Sequence, residues 1–106
     1  MAKRTPPTYP AAQRQLQALG TRLRAARLRR GLTQSMLAER VGVTIPTVAK
    51  LEAGQPTTSW ATALRVLQAL GLGNDIDRIA QDDPLGRALQ DSQLVRASGP
   101  STKARK

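Results

Sequence analysis

At 106 residues the chain has room for one small domain with a single modest core. It contains no Cys and no His, which excludes disulfide staples, a Cys/His zinc site and a histidine general base. Its aromatic residues are Tyr9 and Trp60 alone, too few for a single-strand stacking platform, and a net charge of +10 calls for a polyanionic partner, nucleic acid or an anionic membrane.

A membrane role finds no support in the pattern. No apolar run approaches the ~18 residues that a span requires. Residues 1–7 carry Lys3 and Arg4 but no apolar stretch after them, so no secretory signal is expected and the cytoplasm is the expected location. Charge is unevenly spread. Residues 1–54 hold ten basic and two acidic side chains (+8), residues 55–93 hold three and five (−2), and residues 94–106 hold four and none (+4).

The proline-bearing segment 1–10 is expected to be a flexible arm. A first helix follows from Ala11 or Ala12 to Arg29, with Leu16, Leu19, Leu23, Ala26 and Leu28 as its apolar stripe and Gly31 as its stop. Thr33 caps a second helix, Gln34 to Val41, which Gly42 ends in a left-handed turn. Thr44 caps a third, with Pro46 in its first turn, running to Ala53 before Gly54. A fourth spans Trp60 to Leu70, and a short fifth Asp75 to Ala80. Asp83 with Pro84 then opens a sixth, to about Leu94, with Leu85, Ala88 and Leu89 on its apolar face. The tail 96–106 is basic, rich in helix breakers and expected to be disordered. No alternation is long enough for a strand, so the fold expected is all-α: a compact bundle of five to six short helices.

The spacing within 34–53 is the informative part. Leu37, Val41, Val43, Val48 and Leu51 are placed to face one core, while small Ala38 sits where two short helices would cross. Gly42 permits the positive φ of a sharp turn between them. This is the helix-turn-helix pattern, whose second helix lies in the major groove of duplex DNA.

Arg27-x-x-x-Gly31-Leu32-Thr33-Gln34-x-x-Leu37-Ala38, then Val41-Gly42-Val43-Thr44-x-x-Thr47-Val48-x-Lys50-Leu51-Glu52-x-Gly54, resembles the lambda-repressor-like (Xre-type) helix-turn-helix family. The likeness runs on through Leu64, Leu67 and Leu70-Gly71-Leu72, about half the chain. Within that family, Asp83-Pro84-Leu85-Gly86-Arg87-Ala88-Leu89 after an Asp-rich stretch is similar to HipB-type antitoxins, which are encoded beside HipA-type kinase toxins.

A helix-turn-helix domain is expected over 11–73, the resemblance covering about 22–73 of it, and a dimerisation or partner segment over 74–95, where apolar residues exceed what a four-helix core needs. The resemblance implies that Thr33 and Gln34 approach a DNA phosphate, and that Thr44, Ile45, Pro46, Thr47 and Lys50 face base edges and flanking phosphates. It also implies an Arg27–Glu52 ion pair fixing the third helix. One departure stands out: many relatives carry Gln, Arg or Ser as base readers at the positions of Ile45 and Pro46, both apolar in this chain. Those two offer thymine-methyl contact or shape complementarity only, leaving Lys50 and Thr47 to supply hydrogen-bonded readout.

Other features carry two readings. Arg22, Arg24, Arg29 and Arg30 suit phosphate contacts or a solvated helix face. Gln55, Pro56, Thr57, Thr58 and Ser59 form either a phosphate-approaching loop or an ordinary one. Trp60 reads as a partly buried anchor or dimer contact, and Ile76, Ile79, Leu85 and Leu89 as dimer or partner contacts, or as cover for the domain's own core. Asp75, Asp77, Asp82 and Asp83 read as caps rather than metal ligands. No catalytic residue, metal or cofactor is expected. The function expected is that of a dimeric, sequence-specific regulator binding a palindromic operator, as the antitoxin of a kinase-like toxin. The rivals are a free-standing phage-type repressor and a basic RNA-binding or ribosome-associated protein.

Overall fold

A computed structural model of the chain describes residues 9–97; the expected arm and tail lie outside the described residues apart from 9–10 and 96–97. The elements are α1 (Pro10–Arg29), α2 (Gln34–Val41), α3 (Ile45–Glu52), α4 (Trp60–Ala69), a 3-10 helix (Gly73–Arg78) and α5 (Pro84–Ala97), with no strand among the described residues. The fold is therefore all-α, as expected.

Local chemistry sets the boundaries. The Thr33 hydroxyl accepts from the Met36 N–H at 3.0 Å, the Thr44 hydroxyl from the Thr47 N–H at 3.3 Å and the Ser59 hydroxyl from the Thr62 N–H at 3.1 Å. Each such cap contributes about 1 kcal/mol. Pro10, Pro46 and Pro84 all lie in a first helical turn, where a missing N–H costs nothing. Gly42 ends α2 at φ 83°, and its N–H and that of Val43 both return to the Ala38 carbonyl.

The chain divides into two units, described as 9–76 and 77–97. In the first, Leu23, Ala26, Leu32, Leu37, Ala38, Val41, Val48, Leu51, Val66 and Leu70 form the core, with Leu19, Val43, Ala63, Leu67 and Leu72 packed against it. All five residues expected to face the core from 34–53 do so, and Ala38 is buried. Leu28 does not belong to it: it is 49% exposed, while Arg27 is buried. Five residues separate it from Leu23, which carries it well off a stripe that advances by threes and fours.

The second unit contains α5, four residues before which the chain passes through Ala80 at φ 60°. Asp83 caps α5 through its Oδ1, which accepts from the Gly86 N–H at 3.0 Å. The helix continues to Ala97 rather than stopping near Leu94. The short element expected over 75–80 is a 3-10 helix that begins earlier and ends at Arg78. No described helix is long and apolar enough to cross a membrane.

Candidate nucleic-acid interface

α2 and α3 pack on each other about the Gly42 turn, and α3 packs also on α1. Val48, Leu51 and Glu52 form the buried side of α3. Pro46 and Lys50 are exposed on the side that helical spacing sets opposite; Ile45, three residues before Val48, is exposed in the first turn nearer the buried side, with half-buried Ala49 between it and Pro46. Thr47 lies half-buried at one margin, its hydroxyl 2.8 Å from that of Thr44. Of the residues expected to read DNA, five therefore meet on one short helix and its cap. Ala49 was missed; its place three and four residues from Pro46 and Ile45 was the available signal.

The end of α3 is held by a buried ionic cluster. Arg27 donates from Nε to Glu52 Oε2 at 2.7 Å and from Nη2 to Oε1 at 2.9 Å. Its Nη1 donates to the Leu32 carbonyl at 2.8 Å, tying in the turn before α2. Gln34, half-buried at the start of α2, donates from Nε2 to Glu52 Oε1 at 3.1 Å. The expected Arg27–Glu52 pair is thus present, and it joins three helices. Burial pushes the Glu52 carboxyl up, but hydrogen bonds from Arg27 and Gln34 and the positive charges of Arg27 and Arg24 outweigh this and hold it below the ordinary value. The hydrogen bond to Glu52 raises Arg27 against the opposing effect of burial.

Backbone contact completes the anchorage. Gly20 of α1 faces the carbonyls of Leu51 and Glu52, with no room for a side chain between the helices. Gly54, at φ 78°, packs on Gln17 in the same way, and its carbonyl accepts from Gln13 Nε2 at 3.0 Å. Gln13, Gln17, Gly20 and Gly54 escaped attention as positioning residues. A glycine in a helix interior costs about 1 kcal/mol against alanine, which was the one hint that a backbone comes close.

Gln55, Pro56 and Thr57 are exposed beyond Gly54, and Thr58 is half-buried. Trp60, the first residue of α4, is 73% exposed rather than partly buried, because the core stripe of α4 starts a turn later at Ala63. The arginines of α1 separate. Arg24 acts on Glu52, on the α3 side, and Arg30 donates to the Ala26 carbonyl at 2.8 Å. Arg22 and Arg29 follow Gly20 and Arg27 by two residues, so they stand on the far side of α1 from α3. They flank an open cavity of about 430 Å³ lined by Leu19, Leu23, Leu67 and Leu72. Ile76 is half-buried, whereas Ile79, Leu85 and Leu89 are exposed. No cluster of three or more Asp and Glu that could hold a metal occurs among the described residues.

Two short helices about a left-handed glycine turn, the second presenting its outer face from a braced support helix, define a helix-turn-helix protein. The chain belongs to the helix-turn-helix domain family, whose model matches residues 18–79. It is also similar to an uncharacterized HTH-type transcriptional regulator of Methanothermobacter thermautotrophicus, 49% identical over 51 residues that make up 48% of this chain and 74% of that protein. No solved structure matches it.

Proposed function

We propose that this helix-turn-helix protein is a sequence-specific, duplex-DNA-binding transcriptional regulator. The observation that carries the reading is the outward face of α3, with Ile45, Pro46 and Lys50 exposed on a helix braced by Arg27, Glu52 and Gly20. α3 enters the major groove, and Gln34 and the exposed segment 55–57 approach the flanking phosphates. The Thr33 and Thr44 hydroxyl oxygens accept the cap hydrogen bonds, so the Thr33 O–H stays available to donate to a phosphate beside the backbone amides of the turn that it opens.

One such helix reads few base pairs, so the working species is a homodimer on a two-fold operator. The exposed Ile79, Leu85 and Leu89 are available for that pairing or for a second protein. The acidic balance of residues 55–93 favours a protein there over DNA. In the antitoxin reading that second protein is a kinase-like toxin, and the operon is repressed by its own product. A free-standing repressor needs only the dimer.

Fluorescence anisotropy with the duplex upstream of the protein's own gene, a random duplex and a folded RNA, all at raised salt, tests the reading. The upstream duplex is expected to bind tightest; equal affinity for both duplexes, or preference for the RNA, overturns it. Co-purification with the neighbouring gene's product separates the antitoxin from the lone repressor. Lys50→Ala is expected to weaken operator binding by about 1–3 kcal/mol and to relax base preference at one position of each half-site. A uniform loss across all sequences would reassign Lys50 to a phosphate.

A further inference from the structure

We propose that this protein recognises its DNA chiefly by the 5-methyl groups of pyrimidines, with Ile45, Pro46 and Ala49 as the methyl-reading surface; this rests on the DNA reading above. The outer face of α3 is unusually poor in hydrogen-bond donors. Ile45 is 47% exposed, and Pro46 beside it has neither a side-chain donor nor a backbone N–H. Ala49, one turn on, continues the same apolar strip. Thr44 and Thr47 flank it, but their hydroxyls bond to one another at 2.8 Å and the Thr44 oxygen also accepts the Thr47 N–H. One of the two O–H donors is therefore consumed inside the turn. Lys50 is the one charged side chain on this face.

In the major groove each base pair offers hydrogen-bonding edges, and only a T·A pair (or a methylated cytosine) adds an apolar group. Ile45, Pro46 and Ala49 cannot answer the polar edges. They can remove a methyl group from water, and burial of one such group is worth about fourfold in affinity. Where they meet unmethylated cytosine or guanine, they instead strip water from polar edges and return no hydrogen bond, so the strip selects against those bases as well. A pair of methyl contacts in each half of a two-fold site would thus carry substantial discrimination without any base-specific hydrogen bond from this part of α3.

The test uses the full-length protein and the duplex that it enriches from a random-sequence pool. Each thymine of that duplex is replaced in turn by deoxyuridine, which deletes the methyl and leaves every hydrogen-bonding group in place. At least one thymine per half-site is expected to show about a fourfold loss on replacement. That loss is expected to vanish in I45S/P46S/A49S, which makes the whole strip polar at exposed or half-buried positions and whose fold is checked by circular dichroism. A preferred duplex in which every thymine tolerates replacement overturns the proposal alone. So does a methyl sensitivity that survives in I45S/P46S/A49S. A pool that yields no preferred sequence overturns both this proposal and the DNA reading.

Discussion

Arg27→Ala is expected to lower stability by about 3–5 kcal/mol, the cost of leaving a buried charge without its partner. That is a large share of the ~5–15 kcal/mol of a typical domain. The loss arises in three places at once. Glu52 loses two hydrogen bonds of 2.7 and 2.9 Å, the Leu32 carbonyl loses its guanidinium donor, and α1 loses its ionic tie to α3. Replacing both partners by apolar residues of similar size, Arg27→Met with Glu52→Leu, is expected to restore most of the stability, because no charge is then stranded. Urea unfolding followed by circular dichroism measures all three proteins; a double variant as weak as Arg27→Ala would show that packing, not charge, governs the site.

The pH dependence of the same variants has a defined sign. In the native protein Glu52 is held below its ordinary value, so its contribution is present above the unfolded carboxyl pKa of about 4.3 and disappears as pH falls through the lower folded value. Without Arg27 the strongest influence opposing burial is gone and Gln34 and Arg24 alone oppose it, so the Glu52 carboxyl is expected to rise. The destabilisation of Arg27→Ala is therefore expected to shrink as pH is lowered from 7 towards 4.5. A loss that stays constant over that range would mean that Glu52 escapes to solvent once its partner is removed.

Gly20→Ala is the second large effect, and it runs against the usual rule. In an exposed helix interior the change would stabilise by about 1 kcal/mol. At this position the new methyl would lie 2.7 Å from the Leu51 carbonyl oxygen and nearer still to that of Glu52. Both are backbone atoms at the end of α3, so the helices must separate, at a cost of about 1–3 kcal/mol net of the propensity gain. The same displacement tilts the outer face of α3, and operator affinity is expected to fall further than stability does. Comparison of the urea midpoint with operator binding under conditions where the variant is fully folded separates the two. A variant at least as stable as the parent and equal in affinity would show that α1 and α3 are not in close contact.

Much of this was legible in the residues themselves, for a physical reason. The limits of α2 and α3 are written locally: Thr33 and Thr44 have hydroxyls three residues before the amides they cap, Gly42 supplies the left-handed turn, and Pro46 fits only a first turn. The apolar spacing of Leu37, Val41, Val48 and Leu51 then dictates which side is buried. What was not legible depends on distant pairings. Gly20 and Gly54 look like ordinary glycines until α1 and the end of α3 are brought together across more than thirty residues, and Gln13 gains its role only through the Gly54 carbonyl. Gln34 likewise reads as a surface residue until Glu52 arrives beside it. Leu28 and Trp60 err in the opposite direction: hydrophobicity suggested burial, but their positions on α1 and α4 lie off the packed stripe.

The exposed indole has a practical side. Trp60 is the chain's one tryptophan, in water in the native protein and standing at the end of the segment that follows α3. Its emission is expected to change little when the chain unfolds, so intrinsic fluorescence should report folding poorly. That same insensitivity makes it a clean, label-free optical reporter of anything that docks against the start of α4.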